Sequence, residues 1–385
     1  MRRQRWSWAG AGSATPVDRL VDAAESIVTV GVRELVCQLA NDCRSMARAR
    51  TALVSAAGVK MSEEKLRVLA ENDGKSMLRA SASEQLELDW SAGQCKVTTP
   101  AEVEVSRIYA MADGVMIPVT TQSEKNKRRA TVRARRLAYP ARTGVRRPRL
   151  EPVKTGADQR YKQFFVTTMQ DDEQRRRLVG VTRGDHRRLG KLLRRESVRV
   201  RLRGADQRVG LVDGAICLRR HMEGLPLTAL GLDFYHLGEH VHAGKRGTFG
   251  ETSDAGDRWA GEVLHTVRHE GYELFWDKLT EWRGRLSGKA KRKSANGLMH
   301  YAAERKDMIC YKELEAEGCL IGTGPQESMC KVLSQRVKGP GMRWDSDNAE
   351  AMMEMEGLGQ SNLWDQYWTK ALQAVTYGTT RSVPG

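Results

Sequence analysis

The chain has 385 residues, of which 40% are hydrophobic and 29% are charged, so it can hold two or three domains and wholesale disorder is not expected. No window of about 18 residues is both apolar and free of charge, which excludes a membrane-spanning helix. The basic N-terminus has no apolar stretch, so no signal peptide is expected.

The net charge of +16 is concentrated in one quarter of the sequence. Residues 125–220 carry 29 basic and 9 acidic side chains, whereas the rest of the chain carries 35 and 39. Because neutralised phosphates release condensed counterions, this excess favours a nucleic-acid partner over a solvated loop or an anionic membrane. The candidate DNA contacts in its densest runs are Lys127, Arg128, Arg129, Arg135, Arg136, Arg146 and Arg147.

The seven cysteines form no CxxC pair, and their number is odd. In a chain of this size, that pattern predicts reduced, mostly buried thiols in a cytoplasmic protein.

The first hundred residues show helical periodicity over about 17–80. A break at Ala57-Gly58 precedes Ser62, a candidate N-cap followed by two glutamates. Helix, glycine turn and second helix form the pattern of a DNA-binding helix-turn-helix, although most such pairs are simply packed helices.

From about residue 103 the chain alternates between short apolar strands and helices. A strand ending at Asp113 is predicted to turn back as a hairpin, and the basic segment 124–158 to be an extended loop. Further strands are expected over 162–168, 177–182, 209–214 and 225–232, and helices over 185–202, after Asp233, over 254–317, and from near Gln326 onward.

Acidic residues lie where an α/β fold places its site. Asp113-Gly114 and Asp213-Gly214 each end a predicted strand, and Glu327 opens a helix behind a glycine-rich turn. Three converging carboxylates repel each other and suit Mg²⁺ or Mn²⁺, and a pair of such ions suits hydrolysis of a phosphodiester. Asp-Gly is also a common turn dipeptide, so the alternative is two ordinary turns.

Four stretches of the sequence resemble the DDE transposases of the ISKra group of bacterial insertion sequences. They are YAMADGV (109–115), VGLVDGA (209–215), GLDFYHLGEHV (231–241) and IGTGPQESMCKVLSQRVKGPGMRW (321–344), and the resemblance runs from about residue 104 to Trp368. It implies an α/β fold with an RNase H-like mixed sheet flanked by helices and interrupted by an all-helical insertion. The helical N-terminal region of the predicted fold comes from the periodicity of residues 17–80 instead.

The resemblance also implies which residues act. Asp113 would be the first acid and Glu327 the third. Asp213 is preferred as the second, but Asp233 also ends an apolar strand and stays open. Asp233 and His236 match a supporting motif of related transposases, and a zinc site formed by His236, His240 and His242 is the weaker alternative.

Basic residues follow the third acid. Lys331, Arg336, Lys338 and Arg343 could hold DNA phosphates or form a solvated face, and Trp344 could stack on an unpaired base or pack in the core.

The predicted segments are a helical N-terminal region (1–100), the first part of the core (101–245, with a basic insertion at about 124–158), a helical insertion (246–317) and the last part of the core (318–385).

The expected activity is two-ion cleavage of element ends and strand transfer into target DNA. A homodimer or higher assembly is expected to perform it on double-stranded DNA, at the bacterial nucleoid and away from membranes. The alternatives are a non-catalytic DNA-binding relative and a nuclease without strand transfer.

Overall fold

The structure is a computed structural model that describes residues 6–8, 12–14, 28–139 and 159–378. Arg146 and Arg147, two of the predicted DNA contacts, lie outside this part of the chain.

The described residues form strands and helices in a mixed order. The strands are β1 (Trp6–Trp8), β2 (Gly12–Ala14), β3 (Lys96–Thr98), β4 (Glu104–Pro118), β5 (Tyr161–Gln170), β6 (Arg177–Arg183), β7 (Gln207–Val212) and β8 (Ala229–Leu232). The helices are α1 (Val30–Asp42), α2 (Met46–Ala57), α3 (Glu63–Ala82), α4 (Gln122–Ala138), α5 (His186–Arg199), α6 (Ile216–Met222), α7 (Phe234–Phe249), α8 (Asp254–His269), α9 (Tyr272–Arg285), α10 (Lys289–Ala303), α11 (Tyr311–Ala316), α12 (Gly324–Gln335), α13 (Ser346–Gln360) and α14 (Trp364–Gly378).

Six strands form one mixed sheet with the spatial order β6-β5-β4-β7-β8, and β3 pairs with β4 off this path. The β4–β7 and β7–β8 pairs are parallel, and the β3–β4 pair is antiparallel. The predicted fold class is confirmed: this is an α/β fold consistent with an RNase H-like mixed sheet flanked by helices. Helices α8 to α11 separate β8 and α7 from α12, and helices precede the sheet.

The hairpin predicted after Asp113 is wrong. Strand β4 continues through Asp113-Gly114 to Pro118, and its residues from Ser106 to Ala112 are buried in a nearly continuous run. A two-residue hairpin of this type needs positive φ at its central residues, and Gly114 is not among the glycines with positive φ.

The extended loop predicted from residue 124 is also wrong over its first part, which forms helix α4. Thr121 and Glu124 form a reciprocal capping box at its start, and the lysine, arginine and alanine residues that follow are good helix formers. None of the residues of α4 is buried, and most of them are exposed.

Two compact units divide the chain without following chain order. The first comprises Met1–Leu86, Val115–Phe164 and Val332–Gly385, and the second comprises Glu87–Gly114 and Phe165–Lys331. The four segments predicted from the sequence stay a prediction, because compactness alone does not define domains.

In the first unit, α3 packs against α13 at close range. A Cβ on Gly74 would lie 2.7 Å from the carbonyl oxygen of Ala351, so only glycine allows this approach.

The predicted break before α3 is confirmed, because Gly58 adopts φ +64° and the Ser62 side chain accepts a hydrogen bond from the Lys65 N–H. DNA binding by this helix pair stays a prediction.

In the second unit, the apolar core lies beside the paired strands β4 and β7. Tyr109 and Met111 of β4 pack with Val209 and Leu211 of β7. The strands predicted over 162–168 and 177–182 are confirmed as β5 and β6, which position these central strands.

All seven cysteines are free thiols, and four of them, Cys37, Cys95, Cys319 and Cys330, are buried. Among the described helices, none combines the length and the apolar character that crossing a membrane would require.

Candidate metal centre

Three aspartates lie in one row at neighbouring strands of the second unit. The parallel register pairs Met111 with Leu211, so two residues further along Asp113 and Asp213 correspond. It also pairs Val212 with Leu232, and the Asp233 N–H donates to the Val212 carbonyl at 2.8 Å, which continues the register to Asp213 and Asp233. Because adjacent strands lie about 4.8 Å apart, the register collects these three residues at one edge of the sheet.

Asp233 is fully buried and accepts four hydrogen bonds. Its Oδ1 accepts from the backbone N–H groups of Tyr235 (2.6 Å) and His236 (3.2 Å), which caps α7. Its Oδ2 accepts from the Thr323 N–H (2.9 Å) and the Thr323 hydroxyl. A carboxylate offers about four lone-pair sites, so the protein already uses all of them.

These hydrogen bonds decide the charge of Asp233. Burial by itself raises the pKa of this carboxyl, but the bonds from Thr323, His236 and Tyr235 outweigh it, and the pKa lies below its usual value. Asp233 therefore stays ionised and ties the start of α7 to the residue that precedes α12.

Glu327 lies in the first turn of α12, where the positive end of the helix dipole favours a carboxylate. Its N–H donates to the Thr323 carbonyl at 3.0 Å, and its side chain is exposed. Since Thr323 is bonded to Asp233, the position of Glu327 depends on Asp233.

Asp233, His236 and Glu327 form a group that could hold a metal ion. One ligand atom from each lies within 4.8 Å of the other two. His236 Nδ1 is 3.6 Å from Asp233 Oδ2, and it is buried without a hydrogen-bond partner among the described residues. In the part of the chain that the structure describes, this is the one such group, so the predicted set of Asp113, Asp213 and Glu327 is not gathered at that distance.

Asp113 lies close to this group without joining it. Burial raises the pKa of Asp113, the Gly114 N–H at 2.5 Å lowers it, and the charge of Asp213 raises it again. The Cys330 side chain hydrogen-bonds to Asp113, and Cys330 lies three residues after Glu327 on α12. The neighbouring carboxylates of Asp113 and Asp213 repel each other, and such a pair suits a divalent cation.

Asp213 keeps more freedom to bind a ligand than Asp233. It is half-buried, and its Oδ1 accepts one hydrogen bond, from the Ala215 N–H at 2.9 Å. Gly214 adopts φ +87°, and a Cβ there would lie 2.7 Å from Leu232 and 2.8 Å from the Tyr301 hydroxyl. The turn after Asp213 therefore requires this glycine.

Sequence reasoning missed the residues that hold this turn. The Arg305 Nε and Nη2 donate to the Gly214 carbonyl at 3.1 and 2.8 Å, and the Tyr301 hydroxyl donates to the Asp213 carbonyl at 3.5 Å. The Arg305 guanidinium lies 3.9 Å from the centre of the Tyr301 ring, and the His240 ring stacks on Tyr301 at 3.5 Å. The one available signal was the spacing of Tyr301 and Arg305, four residues apart at the end of a helix.

The weaker zinc alternative finds little geometric support. His240 stacks on Tyr301 instead of facing His236 in a ligand group, and neither His240 nor His242 belongs to the group with Asp233 and Glu327.

The predicted DNA-contacting residues differ in exposure. Lys127, Arg128 and Arg135 are exposed on α4, and Arg129 and Arg136 are half-buried there. Lys331, Lys338 and Arg343 are exposed, whereas Arg336 and Trp344 are only 7% and 8% exposed. The burial of Trp344 favours core packing, which was one of its two predicted roles, and DNA contact by the exposed residues stays a prediction.

No model of a known protein family matches the chain, and a comparison with curated proteins found no match either.

Proposed function

We propose that this chain is a DDE-type DNA transposase that cleaves the ends of an insertion sequence and joins them to target DNA. The observation that carries the proposal is the in-register row of Asp113 and Asp213 beside the group of Asp233, His236 and Glu327. The resemblance of the four sequence stretches to the ISKra group supports the same activity.

Asp113, Asp213 and Glu327 are the proposed ligands of two Mg²⁺ or Mn²⁺ ions. Asp113 and Asp213 lie close enough that the charge of Asp213 raises the pKa of Asp113, and a divalent cation bound by oxygen ligands would relieve this repulsion. When bound, such ions lower the pKa of the attacking oxygen and neutralise charge on the phosphate. In this proposal Asp233 holds Glu327 in position and is not itself a ligand, because its oxygens are already occupied.

The reaction has two steps at this one site. In the first, water attacks the phosphodiester at the element end, and the bond to the 3′ oxygen breaks to leave a 3′ hydroxyl. In the second, that hydroxyl attacks a phosphodiester of the target strand, and the target's own 3′ oxygen leaves with a proton. The carboxylates of the protein would hold the ions, and the protein would orient the phosphate toward those ions.

Helix α4 is the proposed contact with the DNA backbone. Its 17 residues span about 25 Å, and its exposed basic side chains are Lys127, Arg128, Arg133 and Arg135. Its first turn is anchored within its own unit by ion pairs of Lys125 with Asp345 (2.6 Å) and of Glu124 with Arg343. A homodimer or larger assembly that pairs two element ends at the bacterial nucleoid is part of the same proposal.

The test of the reaction is cleavage of a supercoiled plasmid that carries candidate element ends, with Mg²⁺, Mn²⁺ or EDTA. We expect metal-dependent cleavage by the wild type and by Glu262→Ala, an exposed glutamate of α8, and none by Glu327→Ala. Equal cleavage by Glu327→Ala and the wild type would refute the proposed site. A labelled 3′ end that is released but never joined to a second plasmid would instead favour a nuclease without strand transfer.

The test of DNA contact is the salt dependence of binding. Lys127→Gln, Arg133→Gln and Arg135→Gln together should reduce the slope of log K against log salt by about 3. The control removes the same charge from α10 with Lys289→Gln, Lys291→Gln and Lys293→Gln. An equal loss of slope in both triple variants would show that α4 has no special part in binding. Salt-dependent binding without any cleavage by the wild type would favour the non-catalytic relative.

A further inference from the structure

The first unit contains a cavity of about 880 Å³, within the size range of small-molecule sites. Residues of α2, α3 and α4 and the segment 341–345 line it, together with Arg336 of the chain after α12. Five basic and four acidic side chains belong to this lining.

The acidic side chains of the cavity already have cationic partners. The ion pairs are Glu64 and Glu71 with Arg67 (both 2.6 Å), Asp345 with Lys125 (2.6 Å) and Glu124 with Arg343. The cavity therefore offers no unpaired carboxylate to a cation or a basic ligand.

Arg336 has no such partner. It is 7% exposed, its Nε donates to the Ala40 carbonyl at 2.6 Å, and its Nη1 contacts the Met342 sulfur at 3.0 Å. Among the described residues, no carboxylate lies within ion-pair distance of it, and burial lowers the pKa of its guanidinium. A guanidinium keeps its charge in proteins, so a buried one without an anion is unfavourable.

The surroundings hold this cation in a fixed place. The Arg336 guanidinium lies 5.3 Å from the centre of the Trp344 ring, which is itself buried. The Trp344 backbone is tied on both sides, since its N–H donates to the Pro118 carbonyl at 3.2 Å and its carbonyl accepts from the Thr120 N–H at 2.8 Å. The Nη2 of Arg336 has no acceptor among the described residues, so hydrogen-bond donors are available for a ligand.

A second cation at the same cavity defines the charge of the ligand. Arg128 on α4 also lines the cavity, is exposed, and has no ion-pair partner among the described residues. The charge of Arg128 also acts on Glu124 of the same lining, but it forms no ion pair there at close range. Together with Arg336 it matches a dianion better than a single carboxylate, and the planar guanidinium suits phosphate oxygens.

We infer that this cavity is a phosphate-binding site in which Arg336 and Arg128 hold the phosphate monoester of a nucleotide. The site lies in the first unit and uses none of the acids of the candidate metal centre, so it stands independently of the proposed transposase activity. The phosphate can come from the 5′ end of a DNA strand or from a free nucleotide, and both carry the same chemistry.

The first experiment is titration calorimetry of the full-length chain in EDTA at fixed ionic strength, with inorganic phosphate, thymidine 5′-monophosphate and uncharged thymidine. We expect the two phosphates to bind and thymidine not to bind. Arg336→Met should raise the Kd for thymidine 5′-monophosphate by about tenfold or more. Arg79→Met removes the same charge from an exposed position of α3 outside the cavity, and it should bind as the wild type does.

Thermal unfolding separates ligand binding from a structural role of Arg336. Without phosphate, Arg336→Met should melt at the same temperature as the wild type or higher, because an unpaired buried charge is removed. Phosphate should raise the melting temperature of the wild type and leave that of Arg336→Met unchanged. If Arg336→Met does not fold, Arg128→Gln on the exposed helix replaces it, with an expected rise in Kd of about threefold to tenfold.

The source of the phosphate is identified with two short single-stranded oligonucleotides that differ only in a 5′ phosphate or a 5′ hydroxyl. Tighter binding of the phosphorylated strand, lost in Arg336→Met, would assign the site to a DNA end. Equal binding of both strands, with Arg336-dependent binding of thymidine 5′-monophosphate, would assign it to a free nucleotide. No phosphate binding by the wild type, or equal binding by Arg336→Met, would overturn the inference.

Discussion

Asp213 and Asp233 occupy corresponding places at the ends of two adjacent parallel strands, yet the protein uses them differently. Asp233 is fully buried, and its two oxygens accept four hydrogen bonds from the starts of α7 and α12. Asp213 is half-buried, and its Oδ1 accepts one bond, from the Ala215 N–H. A position at the carboxyl end of a strand therefore does not define a role. The hydrogen bonds that a carboxylate already accepts decide whether it can still bind a cation.

The two Asp-Gly pairs also have the same local sequence but different structures. Gly214 has positive φ and turns the chain out of β7, whereas Gly114 remains extended inside β4. Asp113 and Asp213 are in register even though one lies within a strand and the other follows one. Strand pairing, and not the dipeptide, brings them together.

The largest expected effect is on catalysis at Asp213. Asp213→Asn keeps the shape of the side chain and its bond from Ala215 but removes the charge that would hold a metal ion. We expect metal-dependent cleavage to fall about 10³-fold, equal to ~4 kcal/mol, while stability changes by less than about 0.5 kcal/mol. Plasmid cleavage and urea unfolding measure the two quantities.

Asp277→Asn, on the exposed face of α9, is the control for this change and should be as active as the wild type. Cleavage retained in Asp213→Asn, but lost in a folded Asp233→Asn, would exchange the roles that we assign to the two aspartates.

The next effect is on stability at Asp233. Asp233→Ala removes the cap of α7 and both bonds from Thr323, so we expect a loss of about 3 kcal/mol in the free energy of unfolding. Asp185→Ala is the matched control, because Asp185 is an exposed cap of α5 that accepts a bond from the Arg188 N–H at 3.2 Å. Its removal should cost clearly less stability than removal of Asp233, because Asp185 is exposed and water can replace its hydrogen bond. A loss at Asp233 no larger than at Asp185 would contradict the positioning role.

The pH dependence of stability sharpens this prediction. The folded pKa of Asp233 lies below its unfolded value, which is about 3.9, so its stabilisation is present at neutral pH. It is lost as the pH falls through the folded pKa. The difference in stability between the wild type and Asp233→Ala should therefore narrow below about pH 4.

The smallest expected effect is at Arg305, which supports Asp213 indirectly. Arg305→Met removes the two bonds to the Gly214 carbonyl and loosens the turn after Asp213. We expect a loss of about tenfold in cleavage, a loss of about 1 kcal/mol in stability, and a higher Mg²⁺ concentration for half-maximal activity. Arg292→Met, whose Nε donates to the Leu286 carbonyl, is the control. An unchanged Mg²⁺ requirement would restrict Arg305 to a purely structural role.

Much of the fold was predictable because it depends on local patterns. The apolar runs of β5 to β7 and the Ser62 cap are short-range features, and they formed where the sequence predicted them. The strand predicted over 225–232 is shorter in the structure, where β8 begins only at Ala229. The errors at Gly114 and at α4 arose where one local pattern fits two conformations. Asp-Gly can turn or extend, and a basic segment can be a loop or an exposed capped helix.

The sequence by itself determined the concentration of positive charge, because residue type carries that information, and it predicted the α/β class of fold through its apolar periodicity and its resemblance to a known family. Only the tertiary structure decided which hydrogen bonds and which neighbouring charges each acid has. Parallel register brought Asp113 opposite Asp213, and Thr323, 90 positions away, donates two of the four hydrogen bonds that Asp233 accepts. Burial left Arg336 without a counterion. Strand pairing, the bonds from Thr323 and the burial of Arg336 all depend on residues that are distant along the chain, so no local pattern records them.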